Sequence, residues 1–153
     1  MDEARFEEII EFAISKEQQA IDFYTNAGDA LAKPHLRRIL LDLAEQEKGH
    51  KRRLEGLRDH GASEVSRHIV GEIPDLKIAD VTEGSEIGPD SDYQDLLGVA
   101  MKREEKAHNL YTLLASKSTE PELRELFDLL AQDEARHKLA LEKEYDEHVL
   151  TDN

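Results

Sequence analysis

The sequence has no cysteine, which rules out disulfides, thiolate-bound metals and iron–sulfur clusters within this chain. It also lacks an apolar run long enough to span a bilayer. Positive charge is scarce: 20 Lys and Arg stand against 35 Asp and Glu, for a formal net charge of -15. Such an excess repels phosphate backbones and anionic headgroups, so neither nucleic acid nor a membrane is an expected partner. Bound cations would neutralise part of it. The opening residues, MDEARFEEII, have neither the basic nor the apolar region of a secretory signal. The expectation is a cytoplasmic protein whose residues 1–153 form a single domain with room for a packed core.

Half of the eight glycines and half of the four prolines fall in residues 61–91, GASEVSRHIVGEIPDLKIADVTEGSEIGPDS. That segment reads as a long connection, with a short extended piece in DLKIADV. Helix formers dominate either side. The first side predicts helices over about 3–32 and 34–60, parted at Lys33-Pro34 and ended by Gly61 in a left-handed cap. The second predicts helices over about 92–117 and 120–148, with capping-box spacing at Ser91 and Gln94 and at Thr119 and Glu122.

The two sides repeat. Residues 13–57 laid on 100–144 without a gap match at 15 of 45 positions, including Glu17/Glu104, Tyr24/Tyr111, Pro34/Pro121, Glu47/Glu134 and His50/His137. A constant offset of 87 over four helices indicates a duplicated helical hairpin. Two such hairpins make an all-α four-helix bundle, and the 61–91 crossover then makes the second and third helices parallel. A helix of about 26 residues is about 39 Å long, which about 30 extended residues can span. Up, down, long crossover, down, up is the ferritin-like arrangement.

Alternate steps of four and three residues trace the packed seam of each helix. The first seam runs Phe6, Ile10, Ala13, Glu17, Ala20, Tyr24, Ala27, Leu31, and the second Leu36, Leu40, Leu43, Glu47, His50, Leu54, Leu57. The third runs Tyr93, Leu97, Ala100, Glu104, Ala107, Tyr111, Leu114, and the last Leu123, Phe127, Leu130, Glu134, His137, Leu141. Every seam is apolar except near its middle, where a Glu or a Glu-x-x-His pair interrupts it. Four carboxylates buried together would be pushed towards protonation by desolvation and repulsion. Two divalent cations balance them, and the i, i+3 spacing lets each Glu and His reach the same metal region. One Glu from each of two helices and Glu-x-x-His from each of the others is the ligand pattern of di-iron and di-manganese carboxylate bundles. The candidate ligands are therefore Glu17, Glu47, His50, Glu104, Glu134 and His137. Oxygen and imidazole donors suit iron or manganese, and zinc binds them too.

Around this set, Tyr24 and Tyr111 lie two turns from Glu17 and Glu104, placed to hydrogen-bond ligand carboxylates or to relay electrons. By the duplication, Asp133 would orient His50 and Gln46 would orient His137. His35, His60, His68, His108 and His148 fit no ligand spacing and read as surface residues. Lys51 to Arg53 read as a solvated face paired with nearby Glu, and Glu105 points off the seam.

At AISKEQQAIDFY, AMKREEKAHNLY, EKGH and EARH the chain resembles the rubrerythrin branch of the ferritin-like superfamily, over roughly residues 6–57 and 93–145. The resemblance implies that Glu47 and Glu134 bridge two irons, with Glu17 and His50 serving one and Glu104 and His137 the other. It departs in two places. Rubrerythrins usually carry a further carboxylate where this chain has Ala107, and many carry a Cys-rich rubredoxin domain that is missing here. The site is thus more symmetric, nearer to the ferroxidase centre of bacterioferritin. Only 16 residues follow His137, so no fifth helix and no cage assembly are expected.

The first functional expectation is a di-iron oxidoreductase that reduces hydrogen peroxide or dioxygen. Electrons would come from an external donor such as a rubredoxin or a reductase, and the resemblance implies a homodimer. The alternatives are a ferroxidase or iron-handling protein, with iron as substrate, and a structural metal-binding bundle without catalysis.

Overall fold

The computed structural model describes residues 3–30, 34–61 and 93–147. Helix α1 spans Glu3–Ala30, α2 spans Pro34–Gly56, α3 spans Tyr93–Lys117 and α4 spans Pro121–Tyr145. The 61–91 crossover apart from Gly61, together with Phe6, Leu31, Ser91, His68 and His148 and the side chain of His60, lies outside the described side chains. No helix among the described residues is long and apolar enough to cross a membrane.

The prolines set two of the helix starts. Pro34 opens α2, and Pro121 occupies the first turn of α4, where its missing N–H costs nothing. Thr119 is not the N-cap of α4. That position belongs to Glu120, in extended conformation (φ -77°, ψ 123°) and without a side-chain capping bond. The reason is local: a residue before proline is driven out of the helical region. At the other end of the first hairpin, the chain does not turn off at a left-handed Gly61. It continues through Gly61 as a π-helical turn, Leu57–Gly61. Arg58 in that turn donates to Glu11 of α1 (2.8 Å) and to Asp59 (2.8 Å), which ties the wide turn to its neighbour.

Helix directions follow from the contacts. Lys51 meets Gln18 and Arg58 meets Glu11, so α1 and α2 are antiparallel. Tyr24 meets Glu104 and Tyr111 meets Glu17, so α1 and α3 are antiparallel. It follows that α2 and α3 are parallel, in the up, down, down, up order of a ferritin-like bundle.

The core has two apolar ends. One packs Ile9, Ile10 and Ala13 of α1 with Leu54 of α2, Tyr111 and Leu114 of α3 and Leu123, Phe127 and Leu130 of α4. The other packs Tyr24 and Ala27 with Leu40, Leu43, Leu97, Ala100 and Leu141. Between them lies a polar layer with one contribution from each helix: Glu17, Glu47 with His50, Glu104, and Glu134 with His137, all buried. Along the described seams only Ala20, Leu57, Tyr93 and Ala107 are half-buried rather than buried. Ile9, Ile14, Ile21, Leu96 and Ala131 flank the seams and widen the apolar stripes.

Candidate metal centre

Each polar residue reaches the layer by its place on a helix. Glu47 and His50 are one turn apart on α2, Glu134 and His137 one turn apart on α4, and the duplication puts them opposite each other. The two imidazoles lie nearly parallel, 11° between planes and 5.8 Å between centroids. Nδ1 of His50 lies 2.9 Å from Glu134 Oε1, 3.5 Å from Glu47 Oε1 and 3.6 Å from Glu17 Oε2. Nδ1 of His137 lies 3.0 Å from Glu47 Oε1, 3.4 Å from Glu104 Oε2 and 3.5 Å from Glu134 Oε1. Two overlapping groups result: Glu17, Glu47, His50 and Glu134, and Glu47, Glu104, Glu134 and His137. Glu47 and Glu134 belong to both.

The outward edges of the same side chains are held. His50 Nε2 lies 3.2 Å from Asp133 Oδ2, and His137 Nε2 lies 2.7 Å from Gln46 Oε1. Both partners are acceptors, so each histidine donates through Nε2–H and turns Nδ1 inward. Asp133 also accepts a hydrogen bond from Arg136. Tyr24 donates to Glu104 Oε1 (2.5 Å) and Tyr111 to Glu17 Oε1 (2.7 Å). Each tyrosine therefore serves the glutamate of the other half, a crossing that the antiparallel approach of α1 and α3 imposes.

The inward atoms are the unusual ones. Glu17 Oε2, Glu47 Oε1, Glu104 Oε2, both oxygens of Glu134 and Nδ1 of both histidines are buried without a hydrogen-bond partner. They approach one another to about 3 Å, yet none is aligned as a hydrogen bond. An unsatisfied buried polar group costs about 1–3 kcal/mol, more when charged. Burial, then repulsion from Glu47, raises the Glu17 carboxyl from its ordinary 4.5 to about 8. Burial, then repulsion from Glu104, Glu47 and Glu17, pushes Glu134 well above the carboxylate range. For His137 burial opposes protonation, but Glu104 and Glu47 outweigh it and raise the imidazole from 6.5 to about 10. Burial also raises both tyrosine phenols, so both remain donors. Four carboxylates and two inward imidazole nitrogens, with their inner atoms orphaned, fit two divalent cations, which would displace the protons held there.

Three residues behave differently from their sequence reading. His108 is half-buried, not a surface residue, and its Nδ1 lies 2.8 Å from the Ala131 carbonyl oxygen of α4. Lys51 donates to Gln18 (2.7 Å) rather than to a glutamate. Glu144 is a further buried carboxylate, 3.3 Å from the exposed His35. One more step of three along the last seam, from Leu141, would have found it. His35 and Glu105 are exposed, and Glu105 approaches Lys138 at 4.0 Å.

The family model for Rubrerythrin matches residues 8–75 and 95–153. The chain belongs to the rubrerythrin family. Within the solved structures, it is similar to a hypothetical protein from Pyrococcus furiosus, with 27% identity and a TM-score of 0.69, over 92% of this chain and 88% of that one. It is also similar in fold to a ferritin-like diiron-carboxylate protein from Thermotoga maritima, with 18% identity and a TM-score of 0.70, over 94% and 95% of the two chains. No curated protein matches it. Rubrerythrin membership and the Glu/His cluster agree on a metal-binding, diiron-carboxylate type of protein. Among the described residues, Ala107 lines a cleft that leads to the carboxylates, at the position where rubrerythrins usually carry a further carboxylate.

Proposed function

We propose that this rubrerythrin-family protein is a non-haem di-iron oxidoreductase that reduces hydrogen peroxide, or dioxygen, with electrons from an external donor. The observation that carries this reading is the set of inward-facing orphaned atoms on Glu17, Glu47, His50, Glu104, Glu134 and His137. Glu47 and Glu134 would be shared by both metals, Glu17 and His50 would serve one, and Glu104 and His137 the other. When bound, two ferrous ions would supply the two electrons that, with two protons, convert hydrogen peroxide to two molecules of water.

The chain's own residues prepare that chemistry. Asp133 and Gln46 accept hydrogen bonds from Nε2–H of His50 and His137 and so keep both Nδ1 atoms directed inward. Tyr111 and Tyr24 hold one oxygen of Glu17 and of Glu104 and leave the other oxygen to point into the layer. The apolar clusters at either end exclude water from above and below. A small oxidant enters from the side, through the cleft between α1 and α3. Electrons would come from an external donor such as a rubredoxin or a reductase, since these 153 residues contain no cysteine for an iron–sulfur centre.

Ala107 favours a second reading, a ferroxidase with iron as substrate, since the site lacks the extra carboxylate and is nearly symmetric. Stopped-flow oxidation of the anaerobic Fe(II)-loaded protein separates the two. Oxidation of two irons per chain, much faster with peroxide than with dioxygen, and repeatable once electrons are resupplied, is the expected result. Fast oxidation by dioxygen followed by iron release and reloading would favour the ferroxidase. Neither reaction would leave a structural metal bundle. If Glu47→Ala and Glu134→Ala chains still bound two irons, the ligand assignment would be wrong.

A further inference from the structure

The side cleft is cationic at its entrance although the protein as a whole is strongly anionic. It has a volume of about 70 Å³ and runs from solvent to the carboxylate layer. Lys16, Arg103 and Lys106 line it, while the carboxylates that line it are those of the buried layer. Lys16 and Arg103 occupy matching places in the duplication, each one residue before a candidate ligand. The antiparallel approach of α1 and α3 sets them at the two ends of one cleft, Lys16 beside Phe12 and Arg103 beside Phe23.

Arg103 is the distinctive group. Its guanidinium lies 4.7 Å over the Phe23 ring, which orients its plane, and its Nε is buried with no hydrogen-bond acceptor. That N–H is sealed from solvent, so an incoming anionic oxygen meets the outer edge of the guanidinium and is attracted by its charge. Part of the wall is apolar, with half-buried Ala20, Ala107 and Leu110. With the four lining carboxylates neutralised, the three cations leave the cleft positive, and a positive cleft concentrates anions. A volume near 70 Å³ corresponds to about five to seven water-sized groups, at about 10–15 Å³ each.

We infer that this cleft is a binding site for a small organic monoanion of the short-chain carboxylate class. The carboxylate head sits against Arg103 with Lys106, one turn on, beside it, and the aliphatic tail runs along Ala20, Ala107 and Leu110 beside the metal layer. The inference rests on the di-metal reading, because four uncompensated carboxylates at the floor would repel an anion and two divalent cations cancel that charge. An occupant here stands across the route from solvent to the metals, so it governs which oxidant reaches them.

The test uses the zinc-loaded protein, which is redox-inert. Equilibrium dialysis first counts zinc, and calorimetric titration then compares butanoate with its neutral isostere butanamide. Two zinc ions per chain and clear preference for butanoate are expected, with methyl NMR shifts at Ala20, Ala107 and Leu110. Arg103→Gln should weaken butanoate about tenfold, and Ala107→Leu should abolish binding by filling the cleft, while both variants keep two zinc ions. Butanoate binding that ignores Arg103→Gln would mean that the carboxylate ligates the metals or sits elsewhere, and would overturn the inference. So would equal affinity for butanamide, or no binding of butanoate at all. A wild-type zinc count below two overturns the metal reading instead, so the two failures are distinguishable.

Discussion

Glutamine in place of Glu17 keeps the shape of the side chain and removes its charge, and the effect should have opposite signs with and without metal. Glu17 is 2% exposed, and burial, then repulsion from Glu47, raises its carboxyl from 4.5 to about 8. At pH 7 the metal-free native chain therefore keeps the proton, whereas the unfolded chain has lost it. Keeping it costs about 1.4 kcal/mol for each pH unit above the unfolded value, about 3 kcal/mol at pH 7. The amide carries no such cost. Its oxygen still accepts the Tyr111 hydroxyl, which now lies 2.7 Å from Glu17 Oε1. Metal-free Glu17→Gln should therefore be more stable than the parent by up to about 3 kcal/mol at pH 7. For a chain of this size that raises Tm by about 6–12 °C. At pH 5 the gain should fall below about 1 kcal/mol. With saturating zinc the order should reverse or the gain vanish, because a neutral amide is a poorer metal ligand than a carboxylate. The assay is thermal unfolding of both chains, in chelator and in zinc, at pH 5 and pH 7. A metal-free variant less stable than the parent at pH 7 would mean that Glu17 is held as a charged partner of His50 in a closed polar network. The di-metal reading would then fail.

The metal-free chain should also lose stability as pH rises. Glu17, raised from 4.5 to about 8, and His137, raised from 6.5 to about 10, both contribute stability present below their unfolded values and lost as pH climbs through the folded ones. Melting temperature in chelator should fall between about pH 5 and pH 10, and a flat or rising profile would contradict the burial of these groups. Asp133→Asn leaves His50 Nε2 an acceptor but removes its negative charge, so metal affinity in a chelator competition should drop about tenfold. Unchanged affinity would mean that Asp133 serves only Arg136. Phe127 is 0% exposed and lies 6.3 Å from Tyr111, ring to ring; Phe127→Ala should cost about 3–5 kcal/mol in urea unfolding. A loss under about 1 kcal/mol would show that this end of the bundle is not close-packed.

Much of this architecture is written into local chemistry. Glu47 and His50 share a face because a helix turns every 3.6 residues, whatever surrounds it. An apolar seam interrupted by Glu at matching places in two halves already implies a polar layer inside a bundle. Pro34 and Pro121 mark helix starts because their rings are compatible with little else. Local rules fail where two of them compete. Thr119 has capping-box spacing, but Pro121 forces Glu120 to be extended and so takes the cap position. Gly61 is suited to a left-handed cap, yet Arg58 reaches across to Glu11 and the backbone stays helical as a π-turn.

Lys16 and Arg103 illustrate what was visible but not interpretable. Their matching positions can be read directly from the duplication, yet nothing in one helix says that both line the same cleft. His108 fits no ligand spacing, which predicts a surface residue, but its acceptor is a backbone carbonyl 23 positions away on α4. Glu144 lies on the last seam three residues beyond Leu141 and is buried there.

The sequence by itself determined the helices, their apolar seams, the duplication and the six side chains of the polar layer. Periodicity and residue type are properties of neighbours along the chain. The tertiary structure alone decided that Tyr24 serves Glu104 and Tyr111 serves Glu17, that the histidines turn Nδ1 inward, and that the cleft beside Ala20 and Ala107 opens between cations. Those depend on how α1 lies against α3 and α2 against α4. Residues 80 or more positions apart meet there through the direction and stagger of whole helices, which no short stretch of sequence encodes.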